Sequence, residues 1–297
     1  MKLRIGTRRS KLALWQSNLV AGKLNALDVE TELVEIESFG DKEQDIPLHK
    51  LGDKGVFTKA LDDALLAGKI DLAVHSLKDV PTILEEGLNL TAVLKRANPI
   101  DVLVQPLNYE KKNSPKTIAT GSIRRSAFWK NKFPEDEVVD LRGNVPTRLN
   151  KVDTLGWDGA IFAHAGLDRL GLGDRISEEL QWMISAPSQG AIGIISKSDS
   201  IHNEIISVLN DADTRICVDI ERTFLRTLDA GCSSPVGALA EVAGNKLMFK
   251  GAVLSVDGKQ RVDIEEEIEM KKASESLGKK YAENVINKGA ADLLSGK

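Results

Sequence analysis

Three kinds of residue in this chain have chemistry to offer: a cysteine on a turn, an acid and a lysine behind a buried strand, and arginines clustered in loops. Cys232 stands in L-D-A-G-C-S-S-P-V-G, where Gly231, Ser233, Ser234, Pro235 and Gly237 describe an exposed turn between a helix and a strand. A thiol placed there can serve as nucleophile, redox sensor, metal ligand or covalent anchor. Cys217, the other cysteine, lies in the apolar run T-R-I-C-V-D-I and reads as packing. V-H-S-L-K-D-V-P follows the strand I-D-L-A-V and offers His75, Ser76, Lys78 and Asp79. Open α/β sheets place ligands at such strand ends. An acid beside a lysine there can steady a cation or move a proton, and it can equally form a loop ion pair that caps a turn.

Of the 14 arginines, six fall in three loop-to-helix segments: Arg8 and Arg9, Arg124 and Arg125 in T-G-S-I-R-R-S, and Arg142 and Arg148 in L-R-G-N-V-P-T-R. A single Arg-Arg pair is usually a solvated surface. Three such loops at comparable points shift the reading toward a shared pocket, because guanidinium forks and helix N-termini both bind carboxylates. The glycine-punctuated K-L-G-D-K-G-V-F-T-K carries Lys54 and Lys59 and lacks the Lys-Ser/Thr pair of a phosphate-binding P-loop. That loop reads as a basic lid or as a plain exposed connection. His49, His164 and His202 stand apart, so no metal site is expected.

Composition limits the setting. The chain has 297 residues, 42% apolar and 28% charged, with a net charge of −4 and 4% aromatics. Nucleic-acid binding would call for a basic field and stacking aromatics, so no nucleic-acid partner is expected. No apolar run reaches the roughly 20 residues that span a bilayer, and Arg4, Arg8 and Arg9 interrupt the first apolar stretch, so neither membrane association nor a secretory signal is expected. Two cysteines of unlike context give no disulfide framework. The expected compartment is the cytoplasm.

The elements that must carry these residues alternate at first. L-R-I-G-T reads as a strand, then Ser10 as the N-cap of a helix whose Leu12, Trp15, Leu19 and Leu27 follow helical spacing. Further strands are expected at E-T-E-L-V-E-I-E-S, I-D-L-A-V-H-S and L-N-L-T-A-V-L, with a helix before Gly68. From Pro99, D-V-L-V, T-I-A-T, E-V-V-D-L and D-G-A-I-F-A alternate with helices starting at Ser122, Val145 and Ala165. The pattern implies mostly parallel sheets covered on both faces. G-A-I-G-I-I-S can carry the chain back into the first unit. From Asp213 a long helix, three consecutive strands and one amphipathic helix over 273–294 describe a small antiparallel α+β unit. The expected domains are 1–96 with 188–211, 97–187, and 212–297.

R-I-G-T-R-R-S-K-L-A-L-W-Q, G-D-K-G-V-F-T-K, D-L-A-V-H-S-L-K-D-V-P, G-S-I-R-R-S, L-R-G-N-V-P-T-R-L, A-G-L-D-R-L-G, A-P-S-Q-G-A-I-G and the cysteine turn together resemble the porphobilinogen deaminase (hydroxymethylbilane synthase) family, from about residue 4 onward. The resemblance implies two doubly wound, periplasmic-binding-protein-like α/β domains and a C-terminal α+β domain. It implies a monomeric transferase that joins four porphobilinogen molecules head to tail into hydroxymethylbilane, releasing ammonia, in tetrapyrrole biosynthesis. It also implies a dipyrromethane cofactor held by a thioether at Cys232, an anchor that persists through turnover. Asp79 matches the catalytic aspartate that steadies the pyrrole cation. Arg8, Ser10, Lys54, Ser76, Lys78, Ser122, Arg124, Arg125, Arg142 and Arg148 match positions that hold acetate and propionate groups, joined by Gly143, Asn144, Arg169 and Gln189. Lys11 replaces a frequent proline, and Gly121 replaces a frequent serine or threonine, which removes one possible hydroxyl donor.

Two other functions remain open from the residues themselves. A non-catalytic anion-binding protein of the solute-binding type shares the two-domain plan, since fold does not fix function. A thiol-nucleophile enzyme needs a base near Cys232, and no histidine is close in sequence.

Overall fold

The computed structural model describes residues 2–37, 58–110, 115–231 and 234–295. Cys232 and Ser233 of the cysteine turn, and Lys54 with the glycine-rich loop around it, fall outside the described residues.

β1 (Lys2–Thr7), β2 (Glu30–Glu35), β3 (Leu72–Ser76) and β4 (Leu88–Val93) build the first sheet with β10 (Ile192–Lys197), in the order β2-β1-β3-β10-β4. The chain does return to this sheet through G-A-I-G-I-I-S. β5 (Asp101–Val104), β6 (Thr117–Ala119), β7 (Glu137–Val139), β8 (Gly159–Ala163) and β9 (Glu178–Glu179) form the second, in the order β7-β6-β8-β5-β9. The two sheets are topological copies. β1 runs parallel to β2 and β3, as β6 does to β7 and β8. In each, the fourth strand runs antiparallel to both neighbours: β10 against β3 and β4, β5 against β8 and β9. The sheets are therefore mixed, half parallel and half antiparallel, where alternation along the chain predicts mostly parallel ones. β5 and β10 are the strands that follow a passage between sheets, so no right-handed crossover helix fixes their direction.

Period-2 alternation sends each strand's side chains to two cores. In the first sheet Leu3, Ile5, Leu72, Val74 and Ile194 face α1 (Lys11–Asn25), while Ala73, Val93 and Ile195 face α2 (Lys59–Leu66). In the second, Val102, Ala160 and Phe162 pack toward α4 (Val145–Thr154), and Leu103, Ile118 and Ile161 toward α3 (Ile123–Lys132).

The apolar spacing of α1 points to a different face from the buried one. Trp15 and Leu27 are exposed and Leu12 is half-buried, whereas Ala13, Gln16, Ser17, Val20 and Leu24 face inward. Small and polar residues lie there because the helix packs close to β3, where Gln16 Nε2 donates to Ser76 Oγ at 2.8 Å.

α5 (His164–Asp168) and α6 (Asn203–Ser207) are short; α7 (Ala212–Thr227) opens the third unit. Its sheet is the meander β11 (Val236–Ala243), β12 (Lys246–Leu254) and β13 (Arg261–Glu269), antiparallel throughout. Phe224 of α7, Phe249 of β12 and Tyr281 pack in series, with ring centroids 5.2 and 4.8 Å apart. The single C-terminal helix expected over 273–294 is two, α8 (Ser276–Asn287) and α9 (Ala290–Ser295). Gly289, at φ +96°, adopts the left-handed conformation that ends the first.

Candidate active site

The carboxyl ends of both α/β sheets supply the chemistry-bearing residues. β3 ends at Ser76, and a 3₁₀ turn over Leu77–Asp79 follows, closed by Val80 N–H donating to Leu77 O at 3.1 Å. The turn is held by backbone, not by the Asp79 carboxylate. Among the described residues that half-buried carboxylate accepts no hydrogen bond. A cap role for Asp79 would require one.

Lys78 Nζ donates to Gln189 Oε1 at 3.2 Å. Burial, and then the charge of Arg125, push its ammonium down to about 8; Asp79 and Asp101 oppose the shift and Arg124 adds to it. His75, one residue before the strand's end, is buried and pushed down to about 3 by burial first and by Arg8 second, so it is neutral at ordinary pH. Ser76 Oγ is engaged with Gln16.

The helix N-termini form as their caps dictate. Ser10 Oγ accepts from Ala13 N–H at 3.2 Å, Ser122 Oγ from Arg125 N–H at 3.4 Å, and Asn144 Oδ1 from Thr147 N–H at 3.0 Å. Gly143 precedes Asn144 at φ +109°. Gly121 has no room to be anything larger: a Cβ there would stand 2.6 Å from Leu141 O. The missing hydroxyl follows from that close approach of backbone.

Arg124 and Arg125 are buried, and their main partner is a residue that the motifs do not reveal. Asp101, at the start of β5 and fully buried, lies with Oδ2 2.7 Å from one Arg124 terminal nitrogen and Oδ1 2.8 Å from one of Arg125. Arg125 Nε donates to Oδ1 at 2.9 Å, and so does Gln189 Nε2 at 2.9 Å. Burial opposes the charge on Asp101, but the two guanidiniums outweigh it and hold its carboxyl well below the usual carboxylate range. Arg124 and Arg125 also donate to Ile184 O and Ile161 O, at 2.7 and 2.9 Å.

Arg148 is pushed down to about 10 by burial and then by Arg125 and Arg142, against Asp79 and Asp140. Its Nε donates to Gly143 O at 2.7 Å. Burial likewise lowers Arg142, with Asp140 opposing. Arg169 is pushed down to about 10 by burial; it donates to Gly190 O at 2.7 Å and lies 5.7 Å from the Trp15 ring centroid. Arg8 is half-buried at the end of β1.

Lys78, Arg124, Arg125, Arg142 and Arg148 thus sense one another and face three carboxylates, those of Asp79, Asp101 and Asp140. Cations outnumber anions, and the buried Nε of Arg124 has no hydrogen-bond partner among the described residues. A group bearing several carboxylates fits such a donor set. Cys217 is no rival to Cys232. It is buried in the third unit's core, and burial, then Glu221, push its thiol up to about 12, which keeps it inert.

Two like α/β sheets meeting at a concentration of buried cations beside an unengaged carboxylate define a class of protein suited to an anionic ligand. The comparisons with known proteins are more specific. Residues 3–204 match the porphobilinogen deaminase, dipyromethane cofactor binding domain, and residues 215–287 match the porphobilinogen deaminase, C-terminal domain. The chain is 40% identical to the porphobilinogen deaminase of Carboxydothermus hydrogenoformans, covering 98% of this chain and 95% of that one. It is 42% identical to that of Nostoc sp., covering 99% and 94%. Among solved structures it is similar to the periplasmic VFT2 domain of Bordetella pertussis BvgS, with TM-score 0.41 and 15% identity over 70% of this chain and 85% of that one. The chain belongs to the porphobilinogen deaminase family.

Proposed function

We propose that this enzyme joins four porphobilinogen molecules head to tail into hydroxymethylbilane, with loss of ammonia at each addition, on a dipyrromethane primer attached through a thioether to Cys232. Asp79 carries the reading: a carboxylate at a strand's carboxyl end, bonded to none of the described residues and surrounded by cations that suit acidic side chains. As the C–N bond of porphobilinogen breaks, positive charge develops on its pyrrole, and Asp79 stabilises it and relays the ring protons. Arg124, Arg125, Arg142 and Arg148, with Lys78 and Arg8, hold acetate and propionate groups. Ser10, Ser76, Ser122, Gly143, Asn144, Arg169, Gln189 and Lys54 complete the binding set. When bound, the primer would supply the free pyrrole α-carbon for the first addition; each later ring joins the free α-carbon of the ring before it. After four additions water cleaves the bilane from the primer, which stays attached.

The domains we assign are 1–96 with 188–211, 97–187, and 212–297, each holding one sheet. We further propose a monomer working in the cytoplasm, without nucleic-acid or membrane partners. Among the described residues no helix is long and apolar enough to cross a membrane.

Intact-mass measurement tests the reading. The purified chain should carry one two-pyrrole adduct and release ammonia from porphobilinogen. Cys232→Ser should fold, carry no adduct and make no bilane, since a hydroxyl offers no thiolate-like nucleophile near neutral pH. Cys217→Ser should keep both. Full activity in Cys232→Ser would overturn the anchor, and porphobilinogen binding without ammonia release would favour a simple anion-binding protein.

A further inference from the structure

We infer that Arg222, on the first helix of the third unit, is a positioning residue that holds the Asp79 turn from behind. Its side chain is buried, and its two terminal nitrogens donate to Val80 O at 3.0 Å and Pro81 O at 2.6 Å. These are the two carbonyls that follow Asp79.

The local sequence explains why the hold must come through carbonyls. The chain runs Asp79-Val80-Pro81, and proline has no N–H to donate. Val80 N–H is already spent inside the turn on Leu77 O. On the entering side the turn is fixed to the first sheet, where Leu77 N–H donates to Ala191 O at 3.0 Å. On the leaving side no donor but Arg222 reaches the two carbonyls among the described residues, and two residues later Ile83 is 72% exposed. A guanidinium fork can serve two carbonyls at once; an ammonium cannot hold the same plane.

The helix is itself fixed against this region. Val218, one helical turn before Arg222 and so on the same face, packs in the core cluster that contains Leu77 and Val80. Glu221, fully buried beside Arg222, accepts from Ser188 N–H at 2.6 Å and pairs with Arg96 at 2.6 Å. Ser188 adjoins Gln189, the partner of Lys78. Adjacent residues of α7 therefore grip two loops of the site, and among the described residues Arg222 is the only hydrogen-bond donor to the leaving side of the Asp79 turn. The unit that carries Cys232 sets the position of the carboxylate as well.

This inference rests on the role of Asp79 proposed above, and the test separates the two. Full-length holoenzyme with Arg222→Met or Arg222→Lys is prepared in the wild-type and Asp79→Glu backgrounds. Primer loading is read by intact mass, and Tm, kcat and KM for porphobilinogen are measured. A misplacement of about 1 Å costs about 100-fold in rate, so loaded Arg222→Met should lose about that in kcat while KM stays near wild type. Arg222→Lys should recover part of the loss. In Asp79→Glu, whose carboxylate is already displaced, Arg222→Met should cost far less.

Equal losses in both backgrounds, or wild-type kcat in loaded Arg222→Met, would overturn the inference. Should Arg222→Met fail to fold, Arg222→Lys carries the same cycle. Wild-type kcat in Asp79→Asn would instead remove Asp79 from the mechanism. The hold on its turn would then be judged by amide exchange at Val80, expected to quicken in Arg222→Lys and to stay unchanged if the hold is not real.

Discussion

Behind β3 of the first sheet stands Asp79, whose carboxylate accepts no hydrogen bond among the described residues; behind the equivalent β8 of the second stands Asp168, with Oδ2 2.8 Å from His164 Nδ1. The loops after β1 and β6 diverge in the opposite sense. Arg9 lies on the surface, 3.4 Å from Glu35, whereas Arg124 and Arg125 are drawn inside onto Asp101. One topology has produced the same two loop positions twice and divided the work between them. The first sheet keeps an available acid, and the second keeps anchored positive charge. A copied fold duplicates places, and the chemistry at each depends on whether a partner has been buried beside it.

Removing that buried partner should give the largest effect. Asp101→Ala leaves two guanidiniums buried without their carboxylate, which typically costs about 3–5 kcal/mol. Glu35→Ala breaks only the exposed pair with Arg9, and such pairs contribute about 0–1 kcal/mol. Urea unfolding followed by tryptophan fluorescence can compare them, since Trp129, Trp157 and Trp182 report on the second unit and Trp15 on the first. Similar midpoints for the two variants would mean that Asp101 is not what holds the arginines in place.

The acid should separate the two sheets next. Asp79→Asn keeps the shape and loses the charge, so turnover should fall by about 100- to 1000-fold, or about 3–4 kcal/mol of transition-state stabilisation. Tm should hold, because the turn is closed by backbone. Asp79→Glu should retain partial activity. Asp168→Asn, in the short helix that follows the corresponding strand, should leave turnover near wild type. A less stable but equally active Asp79→Asn would return Asp79 to the bland role of a turn residue.

Much of this division was legible in the sequence, and the failures share one cause. Ser10 and Ser122 announce their helices because capping is a local affair. Asp79 and the arginines stand out because they follow strands at short, fixed distances. Asp101 does not stand out, as its partners lie 23 and 24 residues on and a single acid before V-L-V resembles any strand start. Glu221 and Arg222 look like the wet face of an amphipathic helix until the first unit is found packed on them. Trp15 misleads in the opposite direction, since its size suggests a core and the helix instead buries Ala13, Gln16 and Ser17. Contacts between distant segments decide burial, and they are the part that no local pattern encodes.

His75 offers a gentler way to tell the sheets apart, because Phe162 occupies the corresponding place in β8, one residue before its end. The folded state holds His75 down to about 3 through burial and then Arg8, against an ordinary value of 6.5. Below pH 6.5 the unfolded chain takes up a proton that the folded chain refuses, so stability falls as pH falls, until both are protonated near pH 3. The slope from this group is about 1.4 kcal/mol per pH unit. His75→Phe should flatten stability against pH between 6.5 and 5. An unchanged slope would assign the acid sensitivity elsewhere.

The smallest effect tests where the two sheets touch. Lys78 belongs to the first sheet, yet after burial the strongest influence on it is Arg125 of the second, which helps push it down to about 8. Among the described residues, Asp79 and Asp101 also bear on it and favour the ammonium, and Arg124 opposes it. A substrate carboxylate binds the charged form, so binding raises this value and takes up a proton at pH above 8. kcat/KM, which reports the free enzyme, should therefore fall about tenfold per pH unit above about 8. Lys78→Arg puts a group there that stays protonated, and the decline from this source should vanish. Titration of porphobilinogen's own amine would give the same decline in both proteins, so comparing the two profiles isolates Lys78. Matching profiles would mean that the second sheet's arginines do not reach across to set the charge of the first sheet's lysine.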